Sequence, residues 1–201
     1  MRTRNLSILF ASLFVIAGAV FAGARAEGEG PVAPAIGSTI EDFTLPDVDN
    51  KDRSLKSLSG KNGTVLIFIA VQCPVSNAYN ERMAKLAEDY QVKGINVVGI
   101  NSNVTEDAAA VKAHATEHKL SFPILKDPGN KIADRFGAAV TPEAYFIDAN
   151  NKLLYHGRID NARNPAQIES NDLRNALDAA LAGKAVEKTE AKAFGCSIKR
   201  A

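Results

Sequence analysis

The sequence predicts an α/β fold with a central mixed β-sheet and helices on both of its faces. A continuous run of apolar, largely β-branched residues, 64–71, is typical of a buried central strand, and residues 95–100 indicate a second buried strand. Between them, the apolar side chains of residues 75–90 recur at spacings of three and four, which indicates one face of a helix. Because strands alternate with helices, we expect a parallel sheet covered on both sides, to which a hairpin near the end of the chain adds antiparallel strands.

The other predicted elements continue this alternation. Glu106 and Asp107 are acids placed to open a helix, since negative charge is favourable at a helix N-terminus. Asn150-Asn151 is a turn signal between two strand-like segments. In chain order, the remaining elements are a short strand at 122–125, a short helix at 131–136, two strands at 143–148 and 152–159, and a helix from Pro165 to Gly183.

The N-terminal residues have the pattern of an export signal. Arg2 and Arg4 precede an apolar stretch, residues 6–24, and the small-x-small sequence of residues 24–26 marks a cleavage site. We therefore expect residues 1–26 to be removed and the mature protein to lie in the periplasm or outside the cell. An uncleaved membrane anchor is the alternative, because the apolar stretch is long enough to span a bilayer.

The mature chain is expected to form one domain, since a length of 201 residues suits a single domain with short flanking segments. We expect a flexible leader at residues 27–36, the domain at 37–182, and a polar C-terminal tail at 183–201 that carries Cys196. The chain has 24 basic and 23 acidic residues. This balance gives no electrostatic reason to expect binding of nucleic acid, or of a membrane after signal removal.

Cysteine chemistry is limited to two residues, Cys73 and Cys196. In an oxidising compartment two cysteines can pair, stay free or cycle between the two states. Two are too few for a disulfide scaffold or for a zinc site made of cysteines alone. His114 and His118 lie one helical turn apart, but no further ligand is near them in sequence, so we predict no metal site.

Cys73 lies where a buried strand ends and a helix begins. Pro74 suits the first helical position, where an amide hydrogen is not needed, and this makes Cys73 the N-cap. Its sulfur would then face the free amides of the first turn, which lowers the pKa of a thiol and produces a nucleophilic thiolate at neutral pH. The alternative is that Cys73 is a small buried apolar residue.

The strand–cysteine–helix junction, the segment of residues 137–148 and the order of elements resemble the thioredoxin superfamily over residues 36–182. The resemblance implies a cis bond before Pro142, with Thr141 preceding it, beside the active thiol. Within the superfamily the chain looks most like the exported redoxins, in particular the peroxiredoxin-like, AhpC/TSA-type branch. That branch often has a second cysteine in a C-terminal Gly-Cys-Ser-Ile-Lys segment, here residues 195–199.

Two departures limit what the resemblance implies. Ser76 occupies the position of thioredoxin's second cysteine, so a local disulfide is excluded. The peroxidatic motif of the true peroxiredoxins has a proline and a threonine or serine before its cysteine, and this motif is absent here. If the cysteine position is aligned with Ser76, Ile69 and Cys73 occupy the other two positions; if it is aligned with Cys73, Leu66 and Ala70 occupy them. The resemblance therefore gives no support for peroxidase activity.

The resemblance implies a thiol–disulfide oxidoreductase that acts on protein or small-molecule thiols and disulfides. The Cys73 thiolate would attack a disulfide or an oxidised sulfur, and Cys196 or an external thiol would resolve the mixed disulfide. Ser76 would hydrogen-bond the thiolate, Pro142 would shape the groove for an extended substrate, and a loosely held tail would let Cys196 approach and leave. For Cys196, a permanent structural disulfide and a spare thiol stay open as alternatives. No organic cofactor is expected, since the sequence has no glycine-rich phosphate loop.

Two other functions are compatible with the same fold. One is a copper-binding or metallochaperone module, since Cu(I) prefers thiolate and thioether ligands, although only Cys73 is available at the helix. The other is a binding protein that has kept the fold without turnover. Titration with Cu(I) and an assay of disulfide reduction would separate these functions from a thiol–disulfide oxidoreductase.

Overall fold

The computed structural model describes residues 32–200. The predicted signal, residues 1–26, lies outside the described residues, as do the first part of the predicted leader and Ala201. No helix in the described part of the chain has the length and apolar character needed to cross a membrane.

The described residues form helices and strands in the alternating order that the sequence predicts. The helices are α1 (Leu55–Leu58), α2 (Pro74–Asn77), α3 (Asn80–Gln91), α4 (Ala108–Glu117), α5 (Lys131–Phe136) and α6 (Asp172–Leu181). The strands are β1 (Thr44–Pro46), β2 (Asp52–Ser54), β3 (Gly63–Phe68), β4 (Ile95–Asn101), β5 (Ile124–Lys126), β6 (Val140–Thr141), β7 (Glu143–Ile147), β8 (Leu153–Gly157), β9 (Glu190–Ala191) and β10 (Cys196–Ser197).

A mixed sheet of six strands forms the centre of residues 32–200, in the order β5-β4-β3-β7-β8-β9. Strands β3, β4 and β5 are parallel, β7 is antiparallel to both β3 and β8, and β9 is parallel to β8. The predicted mixed sheet with an antiparallel hairpin is thereby confirmed. Because β3 and β4 are parallel neighbours, their carboxyl ends meet at one edge of the sheet, and Cys73 follows β3 at this edge.

Alternating side chains of β3 divide the core into two layers. Val65 and Ile67 face one side of the sheet, against apolar side chains of α3, α4 and α6. Leu66 and Phe68 face the other side, against α1 and α5. All four side chains are fully buried, so helices cover both faces of the sheet, as predicted.

The helix predicted over residues 75–90 is divided into α2 and α3. The backbone N–H of Tyr79 donates to the carbonyl oxygen of Ser76, three residues earlier, which tightens the chain into a turn. The carbonyl oxygen of Ala78 accepts a hydrogen bond from the Arg82 guanidinium over 3.1 Å. The apolar spacing therefore identifies the buried face correctly but misses the break, which depends on these turn contacts.

The last helix begins at Asp172, and the predicted start at Pro165 is wrong. Pro165 opens a single 3-10 turn. The side chain of Asn161 then accepts the backbone amides of Glu169 and Ser170, each over 2.9 Å. These bonds hold the segment before α6 in a non-helical conformation, because they occupy amides that a helix would use.

The C-terminal residues pack firmly against the domain, so the expectation of a loosely held tail is wrong for residues 190–199. Strand β9 extends the central sheet beside β8, and β10 pairs with β6. Ile198 is buried in the core layer on the α5 side of the sheet. The backbone N–H of Lys199 donates to the Asn103 side chain over 2.8 Å. The tail is held in place because its backbone pairs with two strands of the domain, β8 and β6.

Candidate functional site

Cys73 lies at the carboxyl edge of the sheet, between β3 and α2. It is the N-cap of α2 and Pro74 is the first helical residue, as predicted. The backbone N–H of Ser76 donates to the Cys73 sulfur over 3.2 Å. On the opposite side, the Cys73 thiol donates to the carbonyl oxygen of Thr141 over 3.3 Å. Cys73 is only 2% exposed, so protein groups surround the sulfur on nearly all sides.

Cys196 reaches the same place from the C-terminal strand. Strand β10 pairs with β6 so that Cys196 lies opposite Thr141. The Cys73 thiol contacts the carbonyl group of the same Thr141, so the two cysteines lie on either side of one residue, and the Cys196 thiol is close enough to the Cys73 sulfur to lower the pKa of Cys73. Both cysteines are free thiols, and Cys196 is partly exposed. The two thiols are therefore adjacent, with Cys73 buried and Cys196 nearer the solvent.

Gly195 allows the C-terminal strand to approach this closely. A Cβ atom at position 195 would lie 1.9 Å from the carbonyl oxygen of Thr141 and 2.7 Å from its carbonyl carbon. Both are backbone atoms of β6, which pairs with β10. Glycine is therefore required here for β10 to dock beside Cys73.

The two thiols differ in acidity. Burial by itself raises the pKa of Cys73, but hydrogen bonds from the Cys196 thiol and the Ser76 amide outweigh it and lower this pKa below the usual thiol value. The hydrogen bond to Cys73, together with burial, raises the pKa of Cys196. The pair therefore favours a thiolate on Cys73 and a proton on Cys196.

The predicted supporting residues lie around this pair, with one change of role. The Thr141–Pro142 bond is cis, as predicted, and the carbonyl group of Thr141 contacts Cys73. Ser76 contacts the sulfur through its backbone N–H, whereas its hydroxyl accepts a hydrogen bond from the Ala70 amide over 3.2 Å. The side chain of Ser76 thus fixes the end of the strand segment, and its backbone supports the thiolate.

Glu106 fixes the loop between β3 and α2, a role that the sequence analysis missed. Its two carboxylate oxygens accept the backbone amides of Val71 and Gln72, each over 2.9 Å. The side-chain amides of Asn101 and Asn103 donate to the same carboxylate over 2.6 and 2.9 Å. Burial raises the pKa of Glu106, but these donors outweigh burial and lower it. Glu106 is therefore a carboxylate at neutral pH and positions the loop that leads to the thiol.

Asp107 alone opens α4. As the N-cap, its side chain accepts the backbone amide of Ala110 over 2.7 Å. Glu106 precedes the helix and is 3% exposed, with its carboxylate directed to the loop after β3. The prediction that both acids open the helix is therefore wrong for Glu106, because a buried set of four donors binds its carboxylate.

A second buried carboxylate fixes the loop on the opposite side of the site. Glu143, directly after the cis proline, accepts the backbone amides of Ala139 and Val140 over 2.8 and 3.2 Å. The His156 Nε2 atom lies 2.6 Å from the same carboxylate. Burial raises the pKa of Glu143, but the hydrogen bonds from His156 and the two amides lower it. The loop that carries the Thr141 carbonyl group is thereby held in place.

Arg82 holds the loop after β8 against α2. Its guanidinium pairs with Asp160 over 2.7 Å and donates to the carbonyl oxygen of Arg163 over 2.7 Å. The side chain of Arg163 donates in turn to the carbonyl oxygen of Pro74. A depression of about 730 Å³ is lined by this loop and by Phe194. Phe194 lies two residues before Cys196, so one wall of the depression belongs to the segment that leads into β10.

The described residues contain no group of three or more His, Cys, Asp or Glu side chains placed to hold a metal ion. His114 is buried, and its Nε2 atom lies 3.2 Å from the side-chain amide of Asn80. The ring of His118 is 4.3 Å from the ring of His114. Burial lowers the pKa of His114. His114 thus links α4 to α3.

Sequence comparison identifies relatives of the domain. Residues 36–156, more than half of the chain, match the model of the AhpC/TSA family. The thiol-disulfide oxidoreductase ResA of Geobacillus thermodenitrificans is 31% identical over 121 residues, which cover 60% of this chain and 68% of the relative.

Structural comparison extends over more of the chain. An uncharacterized conserved protein from Geobacillus kaustophilus superposes with a TM-score of 0.77 and 33% identity, covering 83% of this chain and 93% of the other. A protein from Chlorobium tepidum, described as a thiol:disulfide interchange protein DsbE, superposes with a TM-score of 0.62 and 24% identity, covering 73% of this chain and 98% of the other. The thioredoxin-like fold that the resemblance implies is thereby confirmed.

Proposed function

Because the chain belongs to the AhpC/TSA family, we propose that it is a thiol–disulfide oxidoreductase whose redox couple is the pair Cys73 and Cys196. Its substrates are thiols and disulfides of proteins or small molecules. Oxidation by a substrate disulfide joins the two cysteine sulfurs and moves two electrons to the substrate, which leaves as two thiols. A dithiol donor returns the pair to the reduced state by the reverse exchange.

The observation that carries this proposal is the adjacency of the two thiols. The Cys196 thiol is close enough to the Cys73 sulfur to lower the pKa of Cys73. Both residues also contact Thr141, Cys73 through a hydrogen bond and Cys196 as its strand partner. The lowered pKa of Cys73 supports a thiolate that can attack a neighbouring sulfur. The name of the ResA relative supports the same class of reaction.

Binding of Cu(I) is a second candidate, because two thiolates form a ligand set that this soft ion prefers. The adjacency of Cys73 and Cys196 favours it, since the sequence alone offers only one cysteine at the helix. A protein with this function would bind one Cu(I) per chain and would not accelerate thiol–disulfide exchange.

We further propose that the protein is exported and that cleavage after Ala26 leaves Glu27 as its first residue. The charged start, the apolar stretch and the small-x-small sequence support this proposal. An oxidising compartment would also suit a disulfide-forming pair. N-terminal sequencing of exported protein should begin at Glu27, and a sequence that begins at Met1 would contradict cleavage.

Turnover of a disulfide substrate tests the proposed function. The purified protein is expected to accelerate the reduction of a disulfide-bonded test protein by dithiothreitol, because the cysteine pair relays electrons between the two. The control is protein that has been denatured, alkylated at both cysteines and then refolded, and it should give the uncatalysed rate. Equal rates with and without free thiols would contradict the oxidoreductase function, and binding of Cu(I) in the same preparation would then favour the second candidate.

A further inference from the structure

The two thiols differ in their access to solvent. Cys73 is 2% exposed, whereas Cys196 is partly exposed. The Cys73 sulfur contacts the Ser76 amide and the Thr141 carbonyl oxygen, and strand β10, which carries Cys196, packs against both β6 and α2. Thiol–disulfide exchange requires a direct approach of one sulfur to another, so access decides which sulfur reacts. An external disulfide meets Cys196 before it meets Cys73.

The residues that cover Cys73 are firmly held. Gly195 lies against the backbone of Thr141, and β10 pairs with β6. Ile198 is 5% exposed and packs in the core layer beside α5. The backbone of Lys199 makes hydrogen bonds with the side chain of Asn103 and with the backbone N–H of Val104. Exposure of Cys73 would therefore require the separation of β10 from the domain.

We propose that substrates exchange at the Cys196 sulfur and that Cys73 reacts only with Cys196, inside the protein. This inference rests on the proposed function, because it assigns the order of steps within the same redox couple. It reverses the order expected from the sequence, in which Cys73 attacks the substrate and Cys196 resolves the mixed disulfide. The depression beside Phe194 offers space for the substrate next to β10.

Oxidation of the pair by a disulfide R–S–S–R′ then takes two steps. Cys196 attacks one substrate sulfur while its proton passes to the Cys73 thiolate, the S–S bond of the substrate breaks, and R′S⁻ leaves. The proton on Cys73 is then transferred to R′S⁻ through solvent. The Cys73 thiolate attacks the Cys196 sulfur, the bond from Cys196 to R breaks, and RS⁻ leaves. Two electrons have passed from the cysteines to the substrate, and one disulfide has replaced another.

Reduction of the pair follows the same path in reverse. A donor thiolate attacks the Cys196 sulfur of the internal disulfide, and Cys73 leaves as a thiolate. The lower pKa of Cys73 favours this direction of cleavage, because a more acidic thiol is a better leaving group. A second donor thiol attacks the donor sulfur of the mixed disulfide, which forms the oxidised donor and releases Cys196 as a thiolate that takes up a proton.

The order of steps can be tested with two single variants, Cys73→Ser and Cys196→Ser. Each reduced protein is mixed with excess dithiobis(nitrobenzoate), an aromatic disulfide whose thiolate product is yellow. Cys73→Ser is expected to form a mixed disulfide on Cys196 at least about tenfold faster than Cys196→Ser forms one on Cys73, because the serine keeps the buried sulfur covered. In denaturant the two variants should react at similar rates, which separates access from intrinsic reactivity.

A third variant tests whether β10 shields Cys73 from external disulfides. Gly195→Ala combined with Cys196→Ser should accelerate the reaction of Cys73, since a Cβ at position 195 would overlap Thr141 and displace β10. Faster reaction of Cys196→Ser than of Cys73→Ser in the folded state would overturn the proposed order. Wild-type protein should release two yellow thiolates per chain and form the internal disulfide. If wild type releases two thiolates and forms the internal disulfide but Cys196→Ser reacts faster than Cys73→Ser, only the proposed order of steps is overturned. If wild type forms no internal disulfide, the proposed function is overturned as well.

Discussion

Replacement of Gly195 by alanine is expected to shift the equilibrium between the internal disulfide and the dithiol form about 100-fold towards the dithiol. The new Cβ would lie 1.9 Å from the carbonyl oxygen of Thr141, so the pairing of β10 with β6 cannot persist. Cys196 would then move on a flexible tether, and its effective concentration beside Cys73 would fall. The measurement is the ratio of disulfide to dithiol at equilibrium with reduced and oxidised glutathione.

Gly183 provides a matched control for this substitution. It also has a positive φ, 67°, but a Cβ there would meet no atom within 4 Å. Gly183→Ala therefore introduces comparable backbone strain near the end of the chain without displacing β10. Its disulfide equilibrium is expected to stay within about twofold of the wild type, since a distant site couples weakly to the pair. An unchanged equilibrium in Gly195→Ala would contradict the requirement for a docked β10.

Replacement of Glu106 by glutamine is expected to lower the free energy of unfolding by about 3 kcal/mol and to raise the pKa of Cys73. The carboxylate binds four donors, whereas a glutamine side chain offers a single acceptor oxygen, so buried donors lose their partners. The loop of Val71 and Gln72 would loosen, and Cys73 would be held less firmly against the Ser76 amide. Denaturant unfolding and the pH dependence of Cys73 alkylation measure the two effects.

The stabilisation by Glu106 depends on pH in a defined direction. Its pKa in the folded protein is lower than the ordinary glutamate value of about 4.3, so folding favours the carboxylate. The contribution of Glu106 to the free energy of unfolding is complete when the pH is above the ordinary glutamate pKa, and it is lost as the pH falls through the lower pKa of the folded state. The difference in unfolding free energy between wild type and Glu106→Gln should therefore be largest near neutral pH and should decrease in acid.

Glu88→Gln is the control for charge alone, because Glu88 is exposed on α3. This substitution should leave both the stability and the pKa of Cys73 close to the wild-type values. A difference between wild type and Glu106→Gln that does not change with pH would contradict the role of the ionised carboxylate. An unchanged pKa of Cys73 in Glu106→Gln would limit Glu106 to stabilising the fold.

The sheet and the position of Cys73 could be predicted because both depend on patterns that are local in sequence. Apolar runs define the central strands, and the step from a strand to Cys73-Pro74 defines the start of α2. The resemblance to a known superfamily supplied the cis bond before Pro142, which no local pattern requires. The central strands and the start of α2 could therefore be predicted from neighbouring residues alone, whereas the cis bond could not.

The roles of Cys196 and Glu106 depend on contacts between distant parts of the chain. Cys196 lies opposite Thr141 only after β10 has paired with β6. A polar composition suggested a loose tail, but its backbone forms strand pairings that composition does not reveal. Glu106 follows β4, whose carboxyl end lies beside that of β3, so parallel pairing brings its carboxylate to the loop before Cys73. The polar residues Asn101 and Asn103 that follow a buried strand were the available signal.

A redox titration read by mass mapping measures whether Cys73 and Cys196 form a reversible disulfide. The protein is equilibrated with glutathione at a series of potentials, free thiols are alkylated, and the digest is analysed without reduction. We expect a linked Cys73–Cys196 peptide to replace both alkylated peptides in one two-electron transition, in which the ratio of disulfide to dithiol changes tenfold for about 30 mV. Recovery of two free thiols, or of two separate glutathione adducts, at every potential would show that Cys73 and Cys196 do not form this disulfide.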